Sequence, residues 1–337
     1  MNSRKTRRPL GRAASRTAAA GIAAALAVAI AGCGGSSGDS SASGELTQVT
    51  ITVPVAIGDF APVQYALVNG YFEAEGIDAD VQVLSSAQSP SALAGGSVQF
   101  VVSAAPGHDA IAVAGAAKVL GTYAEVPDSE LVAVQGIDSI ADLKGHTFAA
   151  SAPGSYSDIM TQKGLATAGL TSADVTMLPF ADLGATVAAL ESGQVDASVL
   201  SEPTTSAVLA AAPGSSVILD YLTSGIVWNQ AGIYGNADWV SAHPDATQGV
   251  IDALDKAIKA WESDPAGAEQ VLTDFTNAAD AQALYEHTLK VFSDGVQPVS
   301  QEIQESVLQA LADAGNTAAD PSNWQAVVDN SFAENLK

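Results

Sequence analysis

Val49, Ile51, Val53 and Val55 alternate with Thr50, Thr52 and Pro54, a period of two rich in β-branched side chains that predicts a strand. Gly58 and Asp59 interrupt it. Val63, Ala66, Leu67 and Phe72 then recur at helical spacing, Pro62 suits a first helical turn, and Gly70 and Gly76 punctuate the end. A strand that feeds through a short loop into a helix N-terminus sets backbone donors and a few side chains at the carboxyl end of a sheet, where open α/β folds bind ligands. Strand patterns return at 80–84, 98–102 and 118–123 with apolar helical stretches between them. This βαβαβαβ order predicts a mostly parallel sheet with right-handed crossovers.

Residues 131–134 read as an extended crossing, after which strand patterns at 146–150, 175–178, 195–200 and 217–219 alternate with helical ones at 158–168, 182–192 and 202–211. The second unit therefore reprises the first. Residues 227–234 read as a crossing back, because the remainder of the chain is helical and needs a sheet to cover. The segment 244–263 carries Val250, Leu254, Ile258 and Trp261 on one stripe; 266–275, 279–292 and 300–314 are further amphipathic stretches, and 321–332 closes the chain.

The N-terminus has a different pattern. Arg4, Lys5, Arg7, Arg8, Arg12 and Arg16 precede an apolar run over 17–32, too short for a membrane span but suited to a signal peptide. It ends in Ile30-Ala31-Gly32-Cys33, which resembles the lipobox of bacterial lipoproteins and implies cleavage before Cys33 and lipidation of that thiol. Residues 33–47, rich in Gly and Ser, read as a tether. Removing 1–32 takes away every arginine and leaves seven lysines against 37 acidic residues, a net charge of −30 compared with −24 for the whole chain. Nucleic-acid binding is thereby excluded, since phosphate contacts need clustered Lys and Arg. Cys33 is the only cysteine, so neither a disulfide framework nor a cysteine-based metal site is expected.

Several short segments together carry a family resemblance. They are Asn69-Gly70-Tyr71-Phe72-Glu73-Ala74-Glu75-Gly76-Ile77, Ala92-Leu93-Ala94-Gly95-Gly96-Ser97-Val98-Gln99-Phe100, Asp142-Leu143-Lys144-Gly145, Ala189 to Ala197 running into Glu202-Pro203, and Ala260-Trp261. In this order and spacing, over about residues 48–300, the chain resembles the solute-binding proteins of ABC importers for sulfonates, taurine, nitrate and thiamine-precursor pyrimidines. The resemblance implies an α/β, two-lobed, periplasmic-binding-protein type II (Venus-flytrap) fold with a C-terminal helical extension. Residues 48–130 with 225–337 would form one lobe and 131–224 the other. It also implies a small-molecule ligand in the cleft and a permease with its ATPase as partners. The protein would be exported, monomeric, anchored to the outer face of the membrane by lipid alone, without cofactor and without catalysis.

Loop residues after the strands are the candidates for the cleft: Asp59, Phe60 and Gln64, Ser85 and Ser86, Ser103 and His108 from the first unit, and Ser155, Tyr156, Asp182 and Glu202 from the second. Ser, Gln and backbone donors read oxygens, Phe60 and Tyr156 can stack on a planar ring, and carboxylates accept from amino groups. Trp228 and Tyr234 are more naturally aromatic packing between lobes. With no arginine beyond the signal peptide, an anion would depend on backbone N–H groups, hydroxyls and Lys163, against a strongly negative field. This favours a neutral or amino-bearing planar ligand, such as a pyrimidine, over an aliphatic sulfonate, taurine or nitrate. A ligand-sensing surface protein is the other reading. An enzyme resembling the superfamily's pyrimidine synthase fits poorly with export, and His108, His146, His243 and His287 lack metal-ligand spacing.

Overall fold

The computed structural model describes residues 46–104, 106–180 and 183–336. Among these residues, ten strands form two five-stranded sheets. The first contains β1 (Thr47–Val53), β2 (Ile77–Val83), β3 (Phe100–Ser103), β4 (Ala117–Thr122) and β10 (Gly232–Asn236) in the order β2-β1-β3-β10-β4. The second contains β5 (Glu130–Ala133), β6 (Thr147–Ala150), β7 (Thr176–Pro179), β8 (Ala197–Leu200) and β9 (Ser216–Asp220) in the order β7-β6-β8-β5-β9. Each sheet has two parallel pairings, β1 with β2 and β3, and β6 with β7 and β8. Each also has one antiparallel strand in fourth place: β10 between β3 and β4, and β5 between β8 and β9.

The two segments expected to be mere crossings therefore end inside the sheets. Glu130–Ala133 is an internal strand of the second sheet, and Gly232–Asn236 is an internal strand of the first. Their alternation is weak because both faces are covered, which removes the polar side that a half-exposed strand shows. The chain changes lobes only over 123–129 and 224–231. These two stretches run together, the Trp228 N–H donating to Glu125 O at 3.0 Å and the Gln230 N–H to Ala124 O at 2.9 Å.

Burial follows the strand period. In β3, Phe100 and Val102 face one cluster with Ile51, Val53 and Trp261, whereas Val101 faces another with Val119 and Tyr234. The 20-residue helix Pro244–Ser263 delivers Val250, Leu254, Ile258 and Trp261 to the first of these, as its stripe predicts. Trp261 is anchored at its polar end by donation from Nε1 to Thr288 Oγ1 at 3.0 Å.

The helix Gln301–Asp313 ties the lobes together. Its Ile303, Leu308 and Leu311 pack into the core of the first sheet, while Val307 packs with Leu131, Phe148 and Met160 against the second. Lys163, on the second lobe's helix Tyr156–Ala166, donates to Ser306 Oγ at 2.8 Å. Among the described residues no helix is long and apolar enough to cross a membrane.

Candidate ligand-binding site

In a parallel sheet the strand carboxyl ends share one edge, and here the two such edges face each other. On the first lobe, β1 runs into the short turn Gly58–Phe60, and β3 and β4 end at Ser103 and Thr122 beside Gly232, the first residue of β10. On the second, β6 leads to the loop before Tyr156, and β8 ends at Leu200 opposite Glu130. Asp59, Gln230 and Tyr156 join the edges. Gln230 Nε2 donates to Asp59 Oδ2 at 2.6 Å, and Tyr156 Oη donates to Gln230 Oε1 at 2.9 Å. One carboxamide thus spans from the first lobe to the second, with 2% of its surface exposed.

Around this link lies a cluster of carboxyl groups. Asp59 and Asp128 are both buried. Burial first, and then the Asp128 carboxylate beside it, holds the Asp59 carboxyl well above the usual range, although Gln230 draws it down. Asp128 Oδ1 also pairs with His287 Nε2 at 2.6 Å, a hydrogen bond that raises the imidazole's affinity for its proton. Glu130 accepts from Thr205 Oγ1 at 2.8 Å and is pushed up to about 7, mainly by burial, with Asp128 and Glu202 adding to it. Ser129 Oγ lies 3.2 Å from Tyr156 Oη, and Ser201 Oγ donates to Asp128 O at 2.6 Å.

Cations are scarce at this junction. Lys118 is held by Ala326 O, Lys144 by Asp174, Lys256 by Glu75 and Lys259 by Asp255. Lys163 lies over the Trp228 ring at 5.6 Å and donates to Ser306, and burial lowers its affinity for a proton. The junction therefore offers mainly carboxyl oxygens in place of lysine side chains, a better match for amino groups than for free anions. Among the described residues no group of three or more His, Cys, Asp or Glu is arranged to hold a metal ion.

Of the residues expected at the cleft, Asp59 and Tyr156 are brought together through Gln230. Glu202 is near enough for its charge to bear on Glu130 and His287, though its own oxygens accept from the Ser206 hydroxyl and N–H at 2.8 and 3.3 Å. Ser155 caps the helix Tyr156–Ala166, accepting from the Asp158 N–H at 3.4 Å. Gln64 is half-buried in the helix Ala61–Val68, and Ser103 is buried at the end of β3. Ser85 and Ser86 are exposed, and Ser85 bonds Gln88.

Phe60 lies in the first lobe's core, 2% exposed, so its ring is engaged in packing. His108 is likewise interior, its Nε2 2.9 Å from Ser89 Oγ and its ring against Tyr234. Tyr234 itself donates to Asp109 Oδ2 at 2.8 Å inside the same lobe. Trp228 does pack between lobes, donating from Nε1 to Ala104 O at 3.0 Å while its ring joins the second sheet's core. Asp182 and Cys33 lie outside the described residues. Asp128, Ser129, Asn229, Gln230 and His287 escaped the reading of loops after strands. Four of them stand on the crossings, and the available signal was the polar pair Asn229-Gln230 inside an otherwise apolar extended run.

A fold of this kind, two mixed sheets with facing carboxyl edges and two chain crossings, is the two-lobed architecture of periplasmic binding proteins. Residues 57–268, more than half of the chain, match the NMT1/THI5-like family, and the chain belongs to it. No curated protein matches the sequence. Among solved structures, it is similar to the alkanesulfonate-binding protein SsuA from Xanthomonas axonopodis pv. citri bound to MOPS, at 21% identity and a TM-score of 0.64 over 87% of this chain and 99% of that one. It is similar to the periplasmic nitrate-binding protein NrtA from Synechocystis PCC 6803, at 15% identity and a TM-score of 0.63 over 86% of this chain and 88% of that one. The desulfurization enzyme DSZB shares the fold at 17% identity and a TM-score of 0.63, over 86% of this chain and 98% of that one.

Proposed function

We propose that this chain is an extracytoplasmic solute-binding protein of an ABC importer that takes up a planar, nitrogen-containing molecule, of which a pyrimidine is the representative, without transforming it. Residues 48–130 and 225–337 make one lobe and 131–224 the other, with the ligand received where Asp59, Tyr156 and Gln230 meet. The observation that carries the ligand class is the composition of this junction: Asp59, Asp128, Glu130 and Glu202 converge with His287 as their basic neighbour. A sulfonate or nitrate entering there would lose hydration among carboxyl groups and without a lysine partner, a cost that a few backbone N–H groups do not offset. An amino group loses nothing comparable, since each N–H finds an acceptor.

The second reading, an aliphatic sulfonate, taurine or nitrate binder, draws on what the SsuA and NrtA relatives are named for. Calorimetric titration of the purified protein with 4-amino-2-methylpyrimidine, an alkanesulfonate, taurine and nitrate separates the two. The expected result is binding of the pyrimidine alone; tight sulfonate or nitrate binding without pyrimidine binding would reverse the ligand class.

Delivery to a membrane permease also requires that the protein stay at the membrane, which rests on Cys33 and the tether 33–47 behind a signal peptide over 1–32. Replacing Cys33 with alanine is expected to abolish lipid labelling and to release the protein from the membrane fraction. Unchanged retention and labelling would remove the lipid anchor from this account.

A further inference from the structure

Asn229 is the one residue on the return crossing whose side chain is buried and bonded to nothing. It is 1% exposed, and neither its Nδ2 nor its Oδ1 has a hydrogen-bond partner. Its neighbours are pinned on both sides: Trp228 holds Ala104 O, Gln230 holds Asp59 and Tyr156, and both backbone N–H groups are fixed to the other crossing. The position of Asn229 is thus set by its surroundings while its carboxamide is left unspent. A buried amide with both ends unsatisfied is costly, and an apolar side chain of the same size would avoid that cost.

Its location is specific. A Cβ built on Gly232 would stand 2.5 Å from Asn229 Nδ2 and 2.9 Å from Oδ1, so the carboxamide lies directly over the Gly232 backbone, in space that only glycine leaves open. Gly232 pairs with Ser103 and Thr122, the last residues of β3 and β4. The amide therefore stands at the carboxyl edge of the first sheet, the same edge that carries Asp59.

We propose that Asn229 is the specificity-determining residue of the cleft, reading the amino-azine edge of a planar ligand through two parallel hydrogen bonds. A carboxamide presents one acceptor and one donor in a single plane. An exocyclic amino group next to a ring nitrogen presents the complementary pair, the same match by which asparagine recognises the amino group and adjacent ring nitrogen of adenine. The assignment rests on the solute-binding reading above and adds to it the group that tells an amino-substituted ring from its unsubstituted parent.

Calorimetry with 4-amino-2-methylpyrimidine and 2-methylpyrimidine tests it on the wild type, Asn229→Leu and Asn229→Ala. The wild type is expected to prefer the amino compound by about tenfold or more, the range of a bidentate pair, and both variants to lose that preference. Without ligand, the variants are expected to melt no lower than the wild type in at least the better-packed of the two, since the amide has no internal partner to lose. If both variants melt several degrees lower, or either keeps the preference, Asn229 is structural and the proposal fails while the binding reading stands. If the wild type prefers neither pyrimidine and is saturated by an alkanesulfonate instead, the ligand class and the Asn229 assignment fall together.

Discussion

Replacing Gln230 with alanine is expected to lower the melting temperature by roughly 5–10 °C, the largest loss for any single side chain at the lobe junction. Its Nε2 is a donor to the buried Asp59, and its Oε1 is the acceptor for Tyr156 Oη. Truncation leaves a buried carboxyl and a phenol each short of a partner and removes most of a fully packed side chain. Unsatisfied buried groups cost about 1–3 kcal/mol each, more where one is charged, so the total is about 2–4 kcal/mol even after partial relaxation. For a domain of this size each kcal/mol corresponds to about 2–4 °C. Gln230→Glu separates packing from polarity. It keeps the volume but brings a third carboxyl group to Asp59 and Asp128, so it should melt well below the wild type at pH 8 and recover at pH 5, whereas Gln230→Ala should be low at both. Thermal denaturation followed by circular dichroism reads both variants, and a Gln230→Ala protein within about 1 °C of the wild type would refute the link between lobes.

The sequence made the sheets legible because their strands succeed one another through helices, and hydrophobic period alone places them. Val49, Ile51 and Val53 and the stripe of Val250, Leu254, Ile258 and Trp261 are buried as their spacing requires. That Asp59 and Tyr156 stand at the facing edges, where Gln230 joins them, was legible for a related reason, since each follows a strand at a helix or turn entry. The rest of the site was hidden because it depends on pairing across long sequence separations. Asp128 and His287 are 159 residues apart, and Asp59 and Gln230 are 171 apart. Local pattern can mark a polar residue such as Gln230 within an apolar run, but not the distant group it pairs with. Phe60 and His108 stand differently from what their loops suggest: the loops reach the edge, but the side chains turn back into the lobe, where Phe60 packs in the core and His108 meets Ser89.

Acidification should stabilise this protein over a range where many proteins change little. Burial pushes Asp109 up to about 6, in spite of hydrogen bonds from Tyr234 and Gln304, and pushes Glu130 up to about 7. Burial and Asp128 push Asp59 up, and Asp128 raises His287. All four groups bind a proton more tightly in the folded chain than in the unfolded one. Their contribution is complete below the unfolded values, near 4 for the carboxyls and 6.5 for the imidazole, and is lost as pH rises through the folded values. The window therefore opens at about pH 4 and runs upward through about 6 for Asp109 and about 7 for Glu130. For Asp109 alone, a rise of about two units corresponds to ~3 kcal/mol at most. Groups with the opposite sign act lower. Asp174 is drawn down by the Thr171 N–H and Lys144, and Asp196 by Thr147 and His146 against the effect of burial, so their stabilisation is lost only as pH falls below about 4. The excess of carboxylates over lysines adds self-repulsion at high pH in the same direction, but salt screens that part and leaves the buried part. The melting temperature, measured at constant high ionic strength, should fall steadily from pH 5 to pH 8, and Asp109→Asn should flatten the lower half of that slope. A wild-type melting temperature at pH 8 equal to or above that at pH 5 would mean that the buried carboxyl groups are ionised without penalty, and would overturn the upward displacement of Asp59, Asp109 and Glu130 by burial.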